Sequence, residues 1–290
     1  MVLIGYPVWY GDRNLDHVIA SISRAGFSYI EVSLDYPWPF KHVDKLNNVI
    51  RLAREYSLRV GVHGPWRDIA LASPIENIRR ASIEVYKSLM ENVALMDPLY
   101  LNVHLATTQI VDIERDLEKE SIDAAMRSVE ELYDIAREYG VDLVVENDPG
   151  KCCSLLDHLA PIKDRVEKVF FCFDIGHAVI AYHRKMKRSR EEVKVDYLEL
   201  ARQWATVFER KLILLHLHDY RYKNGHVEDH LPPGTHNVNV KNLLKALRDT
   251  GIRYVLLEVF YEEGGKHASP EKLVDVVRDV KTWSTALLYP

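Results

Sequence analysis

VDLVVENDPGKCCSLLDHLAPIKDRVEKVFFCFDIGHA (141–178) holds two apolar, strand-like runs with one helix-period segment between them. VDLVVE (141–146) closes on Glu146 and VFFCFD (169–174) closes on Asp174, while Leu155, Leu156 and Leu159 mark the helical piece. Burying a carboxylate without a partner is expensive, so a buried strand that finishes on one needs a reason to do so. Near-continuous apolar strands belong to a parallel sheet covered on both faces, and strand–helix–strand order is the unit that builds it.

The unit repeats in both directions. Upstream lie LIGY (3–6), YIEVSL (29–34), LRVGVH (58–63) and YLNVHL (100–105); downstream lie LILLHL (212–217) and YVLLEV (254–259). Helix-period segments follow near 14–25 and at 43–56, 76–96, 114–139, 191–210, 238–249 and 270–283. In 43–56, Val49, Ile50, Ala53 and Tyr56 fall on one face, with Lys45, Arg51, Arg54 and Glu55 largely opposite. Eight such units in 290 residues predict a (β/α)8 TIM barrel, read as a single domain over 1–290. The alternative, an open doubly wound sheet, lacks a GxGxxG after the first strand and a Walker-type loop.

Most of these strands close on an ionisable group. Glu31, His63, His104, Glu146, Asp174, His216 and Glu258 stand at or beside the strand ends. In a parallel barrel those ends converge on the C-terminal mouth, and a divalent metal is the simplest reason to gather them there. Glu146, Asp174, His216 and Glu258, closing strands five to eight, are close enough in that geometry to share one ion. Carboxylates with one imidazole suit Mn²⁺, Mg²⁺, Co²⁺ or Zn²⁺. His177, just beyond Asp174, is a further ligand or a hydrogen-bond partner for substrate oxygen.

Composition bounds the rest. Hydrophobic content of 47% and charged content of 28% are ordinary for a globular chain, and the net charge of -5 supplies no global basic field for nucleic acid. The start, MVLIGYPVWYGD, has no basic n-region or long apolar core, and no run reaches membrane-spanning length. Cys152, Cys153 and Cys172 suggest neither a disulfide framework nor a zinc ribbon, so a cytoplasmic protein of structural thiols, with no membrane partner, is expected. Oligomeric state stays open, a homodimer through barrel helices included.

HGPW (63–66), VHLA (103–106), ENDPG (146–150), FDIGHA (173–178), HLHD (216–219), HLPPG (230–234) and LEVF (257–260) together resemble the xylose isomerase-like barrel superfamily. That superfamily contains sugar isomerases and epimerases and the endonuclease IV repair enzymes. The epimerase branch implies one metal on Glu146, Asp174, His216 and Glu258. There the two glutamates are the catalytic pair, facing each other across a sugar or sugar phosphate. His177 would bind a substrate hydroxyl, and Trp9, Trp38 and Trp66 would wall the sugar from water. The endonuclease IV branch implies up to three zinc ions. His63, His104 and Glu146 would hold one, the four shared ligands a second, and His177, Glu228 and His230 the third, with Glu228 where that branch has aspartate. Its partner would be abasic DNA.

FDIGHA, HLHD and HLPPG look more like the carbohydrate branch, and Gly234 is followed by Thr235 and His236 rather than completing a G-x-G. The sugar isomerase or epimerase reading therefore comes first, the abasic-site endonuclease second. A third reading is a barrel that binds carbohydrate or metal without turnover. Among weaker signals, the segment after strand six is read as a basic loop (His183, Arg184, Lys185, Lys187, Arg188, Arg190), and the one after strand seven as a long polar loop. Asp219 either orients an imidazole or caps its loop, and His17, His42, His158 and His267 are read as surface residues.

Overall fold

Strand–helix alternation carries through the whole chain. The computed structural model describes residues 2–12, 14–105, 117–150, 152–187, 194–261 and 268–288. Strand β1 (Leu3–Val8) leads to helix α1 (Leu15–Arg24), β2 (Tyr29–Ser33) to α2 (Val43–Glu55), and β3 (Arg59–His63) to α3 (Glu76–Leu95). β4 (Leu101–Val103) leads to α4 (Glu118–Glu138), and β5 (Leu143–Glu146) to α5 (Leu156–Arg165). β6 (Phe170–Asp174) runs directly into α6 (Ile175–Lys187), then α7 (Tyr197–Phe208) and β7 (Leu212–His216). A hairpin, β8 (Asp219–Lys223) and β9 (His226–Leu231), precedes α8 (Val240–Ala246), β10 (Tyr254–Leu256) and α9 (Val274–Leu288). Eight strands close a barrel in the order β1-β10-β7-β6-β5-β4-β3-β2, which is the (β/α)8 arrangement.

Side-chain alternation decides what faces the barrel axis. One buried cluster contains Tyr29, Tyr100, Val144, Cys172, Leu214 and Leu256. Two residues further along the same chain stand Glu31, Asn102, Glu146, Asp174, His216 and Glu258, all buried. The apolar layer and the ionisable layer are thus consecutive inward positions of the same strands. Tyr29, Tyr100 and Tyr254 pack ring against ring, with centroids 5.2–6.2 Å apart, beneath that ionisable layer. Gly61 makes room for them: a Cβ there would lie 2.7 Å from the Tyr100 ring.

The larger apolar cluster lies between strands and helices. Helix α2 turns Leu46, Val49, Ile50, Leu52 and Ala53 inward, but Tyr56, placed on that face from sequence, caps the helix and is 40% exposed. Two segments read as loops are regular structure. The basic stretch after β6 begins as helix α6, in which Arg184 donates to the Pro149 carbonyl at 2.8 Å; Arg188 and Arg190 lie outside the described residues, as does His267. The polar stretch after β7 is the β8–β9 hairpin. His158 is buried, not superficial, and meets Glu118 at 2.9 Å. Among the described residues no helix is long and apolar enough to cross a membrane.

Candidate metal centre

Register brings the inward carboxylates and imidazoles to one level. Asp174 pairs across the ladder with His216, Glu146 pairs with Cys172, and Leu256, two residues before Glu258, pairs with His216. One ligand atom from each of Glu146, Asp174, His216 and Glu258 lies within 4.8 Å of the others. His216 Nδ1 is the hub, at 2.9 Å from Glu258, 3.4 Å from Glu146 and 3.7 Å from Asp174. Buried polar atoms normally find hydrogen-bond partners. Glu146 Oε1, His216 Nδ1 and Glu258 Oε2 find none of good geometry, although the two oxygens lie only 3.4 and 2.9 Å from that nitrogen. Orphaned donor atoms gathered this closely fit a divalent cation, and the oxygen-rich set with one nitrogen suits Mn²⁺, Mg²⁺, Co²⁺ or Zn²⁺.

Two further donor groups flank this one. His63 and His104 join Glu146, and His177 joins Asp229 and His230. The rings are oriented by local partners: His63 Nδ1 by the Gly64 carbonyl at 2.8 Å, His104 Nδ1 by Asp148 at 2.7 Å, and His177 Nδ1 by the Asn147 carbonyl at 3.0 Å. Each such contact holds its ring by Nδ1, as outer partners of metal-binding histidines commonly do, and Nε2 of His104 and of His63 lies 3.3 and 3.7 Å from Glu146. The Asn147 side chain also clamps the Asp174 backbone through two hydrogen bonds, of 2.8 and 2.9 Å. ENDPG is therefore a brace between β5 and β6 as well as the source of a candidate ligand, Glu146.

Glu228 does not join the flanking group. Its carboxylate pairs with Arg221 at 2.7 Å and Lys223 at 2.8 Å on the outer face of the hairpin. The hairpin register shifts between Asp219 and Arg221, and His230 adopts φ +55°, so simple alternation fails there. Asp229 takes the inward place, 3.1 Å from His230 Nδ1.

A family model described as the xylose isomerase-like TIM barrel matches residues 19–280. The chain belongs to that family. An uncharacterised protein of Methanocaldococcus jannaschii is 25% identical over 82% of this chain and 83% of its own length. A probable endonuclease 4 of Haloarcula marismortui is 24% identical over 71% of this chain and 74% of its own. Among solved structures, D-psicose 3-epimerase from Clostridium cellulolyticum superimposes with a TM-score of 0.65 at 17% identity, covering 98% and 99% of the two chains. The IOLI protein with a bound zinc atom gives 0.74 at 16% identity, covering 100% of both. These two likenesses establish the fold.

The mouth of this xylose isomerase-like barrel is aromatic. Trp9 lies 6.3 Å from the His63 ring and 5.4 Å from Phe260, and Trp66 lies 6.1 Å from the His104 ring. Arg67 sits over the Trp66 ring at 4.3 Å and is held by Asp35. Trp38, expected in this wall, is instead fully buried and packs edge-on against Tyr10; Phe260, not singled out from sequence, takes a place at the rim. The sequence also gave no sign of the Asp148 contact to His104, because the two meet only through adjacent strands.

Charge balance in the metal-free centre is set by opposed effects. Burial disfavours the charged forms of His104, His216 and His230, but neighbouring carboxylates outweigh it and hold all three well above the ordinary imidazole value of 6.5. Burial likewise opposes ionisation of Glu146, Asp174 and Glu258, yet the imidazoles hold them below the ordinary carboxylate range. The raised histidines contribute stability that is complete below pH 6.5 and lost as pH rises through their folded values. The depressed glutamates contribute stability that is present above 4.5 and lost on acidification. With chelator present, the melting temperature should therefore peak between about pH 4.5 and 6.5 and fall on the alkaline side. Calorimetric scans across pH check this; a melting temperature that climbs steadily from pH 6.5 to 9 would contradict it.

Proposed function

We propose that this chain is a divalent-metal-dependent isomerase or epimerase acting on a sugar or sugar phosphate. The observation that carries the reading is the four-ligand group itself, in which Glu146 and Glu258 are the outer members on the successive strands β5, β6, β7 and β10. A divalent cation there would polarise a substrate carbonyl and its neighbouring hydroxyl and acidify the C–H between them. Glu146 and Glu258 are the proton carriers: one removes the proton and the other returns one to the opposite face. His177 offers Nε2 to a substrate hydroxyl, while Trp9 and Trp66 exclude water at the mouth. The structural likeness to D-psicose 3-epimerase is in keeping with this reading.

A specific observation favours a second reading. The donor groups His63–His104–Glu146 and His177–Asp229–His230 would extend the centre to three zinc ions, as an endonuclease IV-like enzyme requires. The probable endonuclease 4 among the relatives is consistent with it.

Metal analysis of the purified chain, paired with two assays, separates the readings. The first expects one tightly held metal per chain and deuterium uptake from solvent into a ketose or ketose phosphate. The second expects close to three zinc ions and nicking of abasic duplex DNA. One metal with intact abasic DNA removes the nuclease. Three metals with no carbon-bound exchange across a ketose panel removes the isomerase. Melting-temperature gains with sugars but no product would leave a binding barrel.

A further inference from the structure

His216 and His218 both reach the centre, and distance alone would admit both as ligands, because Asp174, His218, His230 and Glu258 also come within ligand range of one another. Hydrogen-bond direction separates them. The backbone N–H of His230 points at His218 Nδ1 over 2.9 Å. A ring nitrogen that accepts a hydrogen has none of its own, so the ring hydrogen sits on Nε2. That nitrogen lies 3.2 and 3.1 Å from the two oxygens of Asp174. The Asp219 carbonyl is 3.3 Å from Nδ1, but it would need a hydrogen where the shorter contact needs a lone pair. His63, His104 and His177 are turned the other way, with acceptors at Nδ1.

We propose that His218 is a positioning residue: it donates Nε2–H to Asp174, coordinates no cation, and fastens that carboxylate to the backbone of β9. The proposal rests on Asp174 being a metal ligand. Local packing is arranged for it. His218 is fully buried. Its ring stacks on His230 at 4.3 Å, which stacks in turn on Phe260 at 4.2 Å. On the opposite side Gly176 leaves the space the ring fills, since a Cβ there would lie 2.2 Å from His218 Cε1. The His177 N–H donates to Asp174 Oδ1 at 2.7 Å, so two donors fix the carboxylate on its outer side. Asp174 Oδ2 also lies 3.7 Å from His216 Nδ1. The orientation of a ligand in β6 thereby depends on the seating of a hairpin strand.

Cobalt(II) binding to the full chain tests this, read by chelator competition and by the visible d–d spectrum. His218→Gln places an amide N–H near the position of Nε2–H and should bind cobalt as wild type does, with the same spectrum. His218→Phe removes the donor and should weaken binding about 10- to 100-fold. His218→Asn keeps an acceptor for the His230 N–H but falls short of Asp174; it should lose as much affinity, and it serves if the phenylalanine variant does not fold. Wild-type affinity in the asparagine and phenylalanine variants overturns the proposal. So does a changed coordination spectrum with lost affinity in the glutamine variant, which would make His218 a ligand. Asp174→Asn controls the underlying reading: undiminished cobalt binding there refutes the ligand assignment rather than the role of His218.

Discussion

Glu146→Gln should cost the metal-free protein about 3–5 kcal/mol at pH 5.5 and abolish tight metal binding. Among the described residues none joins as many donor groups: Glu146 belongs to the four-ligand set, to the His63–His104 set and to a set with Cys172 and His216. Its Oε1 lies 3.3 Å from His104, 3.1 Å from His177 and 3.4 Å from His216, and its Oε2 accepts from Asn102. Glutamine keeps the shape and the Asn102 acceptor but removes the charge that balances His104 and His216. At pH 5.5 the wild-type rings are charged, and the variant must either keep that buried charge without its countercharge or give up a proton, so the penalty is near the full cost of breaking a buried pair. At pH 9 they can shed their protons, and the penalty should shrink. Turnover should fall by about 10²–10⁴, the usual worth of a positioned acid or base. Urea unfolding with chelator at the two pH values, with metal analysis, checks the pattern. An equal penalty at both would mean that Glu146 acts through packing and not through charge.

The second large effect is expected at Asp219, for a reason unrelated to metal. Its carboxylate accepts backbone N–H groups from Tyr220 (2.7 Å), Asn237 (2.9 Å) and Val238 (3.0 Å) on one oxygen and from His236 (2.8 Å) on the other. Of the two roles open from sequence, the structure supports the loop cap. The fully buried side chain closes the segment from β9 to α8 onto the start of β8. Asp219→Ala should cost about 3 kcal/mol, since buried donors would lose a charged acceptor while the exposed ones recover water. Because the same segment follows His230, metal affinity should fall too, but less than in Glu146→Gln. Hydrogen exchange at the amides of Tyr220, Asn237 and Val238 is the direct readout. Unchanged protection there would show that the loop holds itself.

The barrel was legible because its signals are local: apolar runs, helical periodicity, and an ionisable residue two positions past an inward apolar one. Val144 before Glu146, Cys172 before Asp174, Leu214 before His216 and Leu256 before Glu258 all obey that step. Reading failed where the step fails or where partners are distant in sequence. Glu228 stands where the endonuclease IV branch has aspartate, but the register shift and the left-handed backbone at His230, which put Asp229 inward instead, are invisible in a string of letters. Helix α6 was read as a loop because its basic second half looks like a solvated turn. Asp148 and His218 act through hydrogen bonds spanning 44 residues each, and the direction of a hydrogen bond has no counterpart in spacing.

The three phenols packed edge-on and tilted against one another beneath the ionisable layer turn the barrel into a cul-de-sac. In the proposed reaction the cation, reactant and product would all use one doorway, past Trp9 and Trp66. A tightly held product would then imprison the ion below it, and chelators should strip the resting protein faster than the protein at work.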